Sequence, residues 1–474
     1  MPAPPTIDPW LWSTTFGETL LAGFDPAGAG ARQREGRFAS VLKAAAASPL
    51  YRERLRGITV LRPSDLPLLE PVGRAELMQR FDEWSTDSAV KRAAVEMFLA
   101  GADVADAFLG KYLVWTTSGT SGTPGIFVQD AHSLAAYEAL DALRLRGAPA
   151  RNVPLAVWSV GRRFAYVGAT GGHFAGTVSV ERIRRLSAAP SLLPSGWLMP
   201  SMQTFSVQMP LAQLASALQA YAPTVLITYP SCAAALAQLQ RDGDLQLGLA
   251  EIWLGGEQLS KAQRALVRST FACPLRNNYG AAEFFSIAWE CEHERLHVND
   301  DWLVLEAVDR QSRPVAPGDT PHAVLLTHLG NHVQPLLRYR LDDSIRFTAE
   351  RCGCGSAFPV IEVQGRRGHT LQMHGDDDRP VTILPLAAET VIEEGAQVTQ
   401  FQLLCTGPDT LELRFEAAVL DADAAFDRAQ MALAAYLQTL GLRGVRIVHG
   451  QKAPVRDRTS GKLFRVRNAP HDGH

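Results

Sequence analysis

The middle of the chain alternates between two hydrophobic patterns. Apolar residues at helical spacing predict helices over residues 211–221 and 232–241, and continuous apolar runs predict strands over residues 224–228 and 251–254, with a turn at 229–231. Apolar strands that alternate with helices are typical of a mainly parallel sheet covered by helices on both faces. The pattern therefore predicts an α/β fold, in which ligands bind beyond the carboxyl ends of the strands.

The end of the chain follows a different order. Its pattern predicts strands over residues 400–404, 410–415 and 445–449, with a helix over residues 421–440 before the last strand. Because single hydrophobic cores stop growing at about 250–300 residues, a chain of 474 residues should form at least two domains. We therefore expect a large α/β domain followed by a small α+β domain.

Composition and charge are those of an ordinary globular protein. Hydrophobic residues make up 46% of the chain and charged residues 20%, and the formal net charge is −3. We expect no nucleic-acid partner, because binding one would need a strongly basic face. We also expect no membrane partner, because no apolar run approaches the roughly 20 residues of a membrane span. The N-terminus does not resemble a secretory signal, so we expect a cytoplasmic protein with reduced cysteines.

A segment rich in Gly, Ser, Thr and Pro lies between two short apolar runs, residues 112–115 and 126–128. This arrangement predicts a strand, a loop and a second strand. Glycines let backbone N–H groups converge on an anion, and the hydroxyls from Thr116 to Thr123 add donors, so the loop suits a polyphosphate. It is not a P-loop, because Thr123 rather than lysine follows Gly122. The alternative interpretation is a surface turn that binds nothing.

Several motifs resemble those of the adenylate-forming enzyme superfamily and stand in the family's order. They are Ser118-Gly-Thr-Ser-Gly-Thr-Pro124, Gly255-Gly-Glu257, Tyr279-Gly-Ala-Ala-Glu283, Leu336-Leu-Arg-Tyr-Arg-Leu-Asp-Asp343, Gly365-Arg366 and Arg458-Thr-Ser-Gly-Lys-Leu-Phe-Arg-Val466. The segment from Cys291 to Asp300 further resembles the phenylacetate–CoA ligase branch, and the later Cys352-Gly-Cys354-Gly resembles a motif of many members of that branch. The resemblance implies a large N-terminal adenylate-forming domain over residues 1–364 and a small mobile α+β lid domain over residues 365–474.

The resemblance implies that most of these motifs bind ATP. By this resemblance the motif from Ser118 to Pro124 holds the β- and γ-phosphates, and Gly255 to Glu257 contact adenine. Tyr279 stacks on the adenine ring, and Asp343 binds the ribose hydroxyls. The implied ATP-binding residues are Ser118, Gly119, Thr120, Ser121, Gly122, Thr123, Gly255, Gly256, Glu257, Tyr279, Gly280, Asp343 and Arg366.

The resemblance also implies which residues carry the chemistry. Lys462 would be the catalytic lysine that bridges the carboxylate, the α-phosphate and the ribose. Glu283 and Thr120 would act with it by holding Mg²⁺ against the phosphates. These three residues are therefore the expected catalytic set.

His173, Tyr279 and Gly280 are expected to line the pocket for the carboxylic acid, again by resemblance; the alternative for His173 is a structural histidine. Two positions depart from the family pattern. Thr123 stands where a lysine is common, which predicts either a weaker hold on phosphate or a hold supplied from elsewhere in the protein. Gly368 stands where a hinge aspartate is common, and glycine can also absorb the backbone rotation of a hinge.

Four side chains of the two branch-specific motifs have the residue types of a zinc site. Cys291 and His297 lie close together in sequence, and Cys352 and Cys354 form a second close pair. A Cys₃His set suits tetrahedral Zn²⁺ and leaves no open position, so the site would be structural. His293 competes with His297 as the fourth ligand, and the alternative is two buried cysteine groups without metal.

Together these expectations describe an ATP-dependent, AMP-forming acid–thiol ligase. Its partners would be a small aromatic carboxylic acid and coenzyme A, and a homodimer is compatible with the resemblance. The alternatives are transfer of the acyl group to a carrier-protein thiol or an amine, or a nucleotide-binding protein with impaired catalysis. Release of pyrophosphate would separate the enzyme from the binder.

Overall fold

The computed structural model of the protein describes residues 8–117, 124–145, 162–170, 172–188, 201–207, 209–366, 371–374, 380–383, 385–398, 400–416, 419, 421–456 and 463–469. Its helices are α1 Pro9–Phe24, α2 Ala31–Ala45, α3 Pro49–Arg54, α4 Arg74–Gln79, α5 Phe81–Trp84, α6 Arg92–Gly101, α7 Ala131–Leu140, α8 Ala175–Ala188, α9 Leu211–Tyr221, α10 Pro230–Asp242, α11 Lys261–Phe271, α12 Pro385–Ala396 and α13 Ala422–Thr439. None of the helices in these ranges combines the length and the apolar character that a membrane span requires.

Its strands are β1 Leu113–Thr116, β2 Ile126–Gln129, β3 Arg163–Gly168, β4 Ser201–Ser206, β5 Val225–Thr228, β6 Glu251–Gly255, β7 Leu275–Tyr279, β8 Ala288–Glu290, β9 Leu296–Val298, β10 Leu303–Val308, β11 Ala323–His328, β12 Tyr339–Leu341, β13 Asp343–Phe347, β14 Val360–Arg366, β15 Leu371–His374, β16 Pro380–Ile383, β17 Phe401–Gly407, β18 Thr410–Phe415, β19 Arg446–His449 and β20 Val466–Asn468.

A nine-stranded sheet dominates the fold, in the order β13, β14, β9, β8, β7, β6, β5, β3, β4. Strands β3 to β7 pair in parallel, and antiparallel pairing begins between β7 and β8. The parallel strands are apolar because helices cover them; Leu226 and Ile252 pack with Leu236 of α10 and Val267 of α11 in one buried cluster. The predicted α/β fold is confirmed for this part of the chain.

Helix α10 begins earlier than the sequence pattern predicts. A turn was expected at residues 229–231, but Pro230 and Ser231 are already helical. Proline suits the first helical position, because its missing N–H would have no partner there and its φ is preset for a helix. The helix ends where Gly243 adopts φ +87°, a left-handed conformation that glycine accepts readily.

The C-terminal residues build a separate core around a four-stranded sheet in the order β19, β18, β17, β20. Phe401 and Leu413 of this sheet pack against Ile392 of α12 and Leu433 of α13. The predicted α+β order is confirmed, although the pattern missed α12 and β20. The expected domain boundary between residues 364 and 365 falls inside β14, which pairs with β13 and β9 of the large sheet.

Candidate active site

The predicted strand–loop–strand unit is an antiparallel hairpin of β1 and β2. Two hydrogen bonds join the chain just beyond the strands, on the side of the predicted loop. Thr117 donates its N–H to the Gly125 carbonyl (2.9 Å), and Gly125 donates its N–H to the Thr117 hydroxyl (2.8 Å). The structure therefore holds the two ends of the predicted phosphate loop together. The loop residues Ser118, Gly119, Thr120, Ser121, Gly122 and Thr123 lie outside the described residues.

His173 lies beside the last residue of β1. Its carbonyl accepts a hydrogen bond from the Thr116 N–H at 2.7 Å. The imidazole is half-buried, and burial lowers the pKa of His173 below its usual value, although hydrogen bonds to the backbone of Ala102 and Leu99 oppose this shift. The structure places His173 at the end of β1, and its role in the acid pocket stays a prediction.

The Tyr279-to-Glu283 motif begins at the last residue of β7 and is anchored from two directions. The Trp115 indole N–H of β1 donates to the Ala282 carbonyl at 2.8 Å, which links the motif to the loop hairpin. The Tyr339 hydroxyl donates to the buried Glu283 carboxylate at 2.6 Å. These bonds hold the motif against β1 of the hairpin and against β12.

Gly280 is required by a close backbone approach. A Cβ atom at this position would lie 1.9 Å from the Phe285 carbonyl oxygen, a distance that no real contact allows. Any side chain would therefore displace the turn that carries Tyr279. That tyrosine's hydroxyl donates to Asp343 Oδ2 at 2.5 Å, so two residues that the sequence separates by 64 positions are in direct contact.

A cavity of about 640 Å³ opens at the carboxyl ends of β6 and β7. Five of the expected nucleotide-binding residues line it, together with four residues at the C-terminus of the described chain. The nine are Gly256, Glu257, Tyr279, Gly280, Asp343, Leu463, Phe464, Arg465 and Val466. The cavity is large enough for a small ligand, and it lies where ligands bind in parallel sheets.

Two further expected residues, Gly255 and Arg366, end strands beside this cavity. Gly255 ends β6, and Gly256 follows it with φ +77°. Arg366 ends β14 directly opposite Asp343 in the strand pairing, which fixes its backbone beside the cavity. Lys462 and the expected hinge Gly368 lie outside the described residues. Leu463, the neighbour of Lys462, does line the cavity.

Glu257 has a contact that sequence analysis did not predict. Its Oε2 accepts the Ser231 N–H at 3.0 Å, and its Oε1 accepts the Leu463 N–H at 2.8 Å. Both carboxylate oxygens therefore take part in fixing the backbone, one of them on the C-terminal segment. Contact with adenine stays a prediction for this residue.

The four expected zinc ligands converge. The ligand atoms of Cys291, His297, Cys352 and Cys354 all lie within 4.8 Å of one another. The Cys291 and Cys352 sulfurs are 3.6 Å apart, and the Cys354 sulfur is 3.3 Å from His297 Nε2. Zn–S bonds of about 2.3 Å and Zn–N bonds of about 2.0 Å require such separations in a tetrahedron, whereas a disulfide would bring two sulfurs to about 2.05 Å.

The orientation of His297 also suits a metal ligand. Its Nδ1 lies 3.0 Å from the Phe358 carbonyl, so Nδ1–H donates there and the lone pair of Nε2 faces the cysteines. His293, the alternative fourth ligand, does not belong to the group that the described residues form. The donor set fits Zn²⁺, with His297 as the favoured histidine.

Comparisons with known proteins show which proteins share this sequence and this fold. No protein-family model matches the chain. A phenylacetate–coenzyme A ligase from Thermus thermophilus is 28% identical over 204 residues, which are 41% of this chain and 45% of that protein. The chain thus matches less than half the length of this curated relative.

Among solved structures, 2-hydroxyisobutyryl-CoA ligase in the postadenylation state with 2-HIB-AMP has a TM-score of 0.66 at 19% identity, over 92% of this chain and 89% of that chain. An open conformation of that ligase with 2-HIB-AMP and CoA has a TM-score of 0.54 at 19% identity, over 93% and 92% of the two chains. The chain has the fold of this CoA ligase.

Within the CoA ligase fold, one further group of metal-capable side chains was missed by sequence analysis. It consists of Asp130, His132 and His332, whose ligand atoms lie within 4.8 Å of one another. The Asp130 carboxylate accepts the N–H groups of Ser133, His332 and Val333 at 2.9, 2.7 and 3.1 Å. It therefore caps α7 and fastens the segment after β11 beside β2, a structural role in the CoA ligase fold. No signal in the sequence joins positions 202 residues apart.

Proposed function

We propose that the protein is an ATP-dependent, AMP-forming acid–CoA ligase. The proposal rests on one observation: Tyr279, Asp343 and Leu463 line the same cavity. By resemblance Tyr279 and Asp343 bind the nucleotide, and Leu463 is the sequence neighbour of Lys462. The sequence similarity to a phenylacetate–coenzyme A ligase supports the same reaction.

The proposed reaction has two steps. The carboxylate of the acid attacks the α-phosphorus of ATP, the bond to the β-phosphate oxygen breaks, and pyrophosphate leaves with an acyl-adenylate remaining. The thiol of coenzyme A then loses its proton and attacks the acyl carbon, and AMP leaves. In the first step the charge that develops on the phosphates would be stabilised by the loop donors of residues 118–123 and by Lys462.

Two metal ions have distinct places in this proposal. Glu283 and Thr120 would hold Mg²⁺, which when bound neutralises phosphate charge. The Glu283 carboxylate is buried and already accepts one hydrogen bond from Tyr339, so its orientation is fixed. Zn²⁺ at Cys291 and its three partners would be structural, because four protein ligands leave no position for a substrate.

The proposal names the substrates only by chemical class. We propose a small aromatic carboxylic acid, bound near His173 and the turn of Tyr279 and Gly280, and coenzyme A as the acceptor. The half-buried His173 beside the loop hairpin supports an acid pocket there. The separate C-terminal core supports a lid domain, which would begin after β14 rather than at residue 365. A cytoplasmic location and a homodimer stay predictions.

The decisive experiment is pyrophosphate release from ATP in the presence of a panel of carboxylic acids. We expect release that depends on the acid, with aromatic acids most active, and an acyl-CoA thioester when coenzyme A is added. ATP binding without release for any acid would identify a nucleotide-binding protein instead. Release without thioester formation would point to a carrier-protein thiol or an amine as the acceptor.

Asp343→Ala should weaken ATP binding by about 1.5–3 kcal/mol, which is the range for hydrogen bonds to a charged group. The variant removes the carboxylate expected to accept the ribose hydroxyls and leaves the Tyr279 hydroxyl without its 2.5 Å acceptor. The dissociation constant for ATP, measured by calorimetry, should therefore rise about 10–150-fold.

The matched control for this variant is the neighbouring Asp342→Ala. The Asp342 side chain is exposed and pairs with Arg74 at 2.9 Å, away from the cavity lining. It should change the ATP affinity little, because an exposed ion pair contributes roughly 0–1 kcal/mol. The opposite ranking of the two variants would mean that Asp342 is the residue that binds the ribose.

A further inference from the structure

The C-terminal segment that precedes β20 is held to the large sheet region by side chains that the proposed reaction does not use. Ser260 donates its hydroxyl to Glu393 Oε1 at 2.7 Å, across 133 positions of sequence. Both side chains are buried, with relative exposures of 2% and 4%. This bond therefore joins the start of α11 to α12.

The Glu393 carboxylate also accepts a hydrogen bond from Arg465, in the segment that follows Lys462. The Arg465 guanidinium donates to both Glu393 and Glu389, and all three side chains are buried. The Leu403 N–H of β17 donates to the Arg465 carbonyl at 2.6 Å, so residues 463–466 are fixed to the small domain's sheet. A continuous network thus runs from Ser260 through Glu393 to Arg465.

The network contains more negative than positive groups, so its stability depends on the hydrogen bond that Ser260 donates when the small domain is in this position. One guanidinium faces two buried carboxylates, and burial raises the pKa of Glu389 to about 7. A buried carboxylate is costly unless hydrogen bonds satisfy it, and Ser260 supplies such a bond to Glu393 from outside the small domain. If the small domain rotated away, water would replace the Ser260 hydroxyl.

The orientation that makes this bond is also the one that brings Leu463 to the nucleotide cavity. In it the Leu463 N–H reaches Glu257, and Leu463 lines the cavity with Tyr279 and Asp343. We propose that Ser260 and Glu393 are positioning residues that select the orientation in which Lys462 reaches the α-phosphate. The inference rests on the proposed function, because it concerns the first of its two steps.

Ser260→Asp tests the proposal while keeping the helix cap. Ser260 is the N-cap of α11 and accepts the Gln263 N–H at 3.1 Å, and aspartate caps helices as well as serine does. In the observed orientation the new carboxylate would face Glu393, so the orientation should become unfavourable. We expect acid-dependent pyrophosphate release to fall about 5–150-fold, the usual range for coupling between sites, and thioester formation from pre-made acyl-adenylate to be nearly spared.

Two comparison variants separate charge from packing. Ser260→Asn also caps the helix but adds no charge, so it should lose several-fold less activity than Ser260→Asp. Adding Glu393→Gln to Ser260→Asp removes the repulsion and should restore part of the lost pyrophosphate release. A restoration of this kind is non-additive and would show that the two side chains act on each other across this contact; the separate assay of the two half-reactions shows whether the contact affects adenylation alone.

Amide hydrogen exchange supplies a readout that does not depend on catalysis. The peptide that contains Leu463 should exchange faster in Ser260→Asp than in the parent or in Ser260→Asn, because the bond to Glu257 opens. Equal loss of both half-reactions, or an exchange rate like that of the parent, would overturn the proposal. A parent protein that releases no pyrophosphate but shows this exchange pattern would overturn the proposed function and leave the docking contact standing.

Discussion

Lys462→Ala should slow acid-dependent pyrophosphate release by about 10²–10³-fold, the scale for losing one preorganised electrostatic donor. Its cation would stabilise charge that builds up on the α-phosphate only in the first transition state. The neighbouring Leu463 lines the same cavity as Tyr279 and Asp343, which supports this placement. Thioester formation from pre-made acyl-adenylate should be nearly unchanged, so the two half-reactions must be assayed separately.

Lys452→Ala is a suitable control for this variant. Lys452 is exposed and lies in the same small domain, ahead of the terminal motif. The Lys452→Ala variant removes one positive charge but no group that lines the cavity. Its rate of pyrophosphate release should therefore match that of the parent. Lys462 would be excluded from its expected role if Lys462→Ala released pyrophosphate at the parent rate, or if it lost both half-reactions equally while remaining folded.

Purified protein should contain about one Zn²⁺ per chain by elemental analysis, and Cys291→Ser should remove the metal and destabilise the fold. The Cys291 and Cys352 sulfurs are 3.6 Å apart in a buried cluster, and a bound cation would compensate the charge of their thiolates. Loss of a structural metal belongs to the rare changes that cost more than about 4 kcal/mol. The free energy of unfolding in urea is the measurement that checks this.

Cys273→Ser provides the matched control. Cys273 is a free, partly buried cysteine outside the four-residue group. Its replacement should leave the zinc content at about one per chain and change the unfolding free energy by much less. A parent protein that is fully folded and free of metal would contradict the zinc prediction directly.

The sequence pattern located many elements well, because periodicity is a local property. The helix Leu211–Tyr221 and the strand Thr410–Phe415 have the predicted bounds, since apolar spacing of 3.6 or 2 residues needs no knowledge of distant partners. Helix α12 was missed, although its Glu389 and Glu393 prove central to the C-terminal network.

The sequence by itself determined which motifs occur and in which order, together with the chemistry each residue type can perform. Only the tertiary structure decided which of them meet. It brings Tyr279 to Asp343 and singles out His297 over His293, and it turns Glu257 toward the Leu463 N–H. The reason is physical: the partner of a side chain across 57 to 206 positions depends on how sheets and helices pack, which local spacing does not encode.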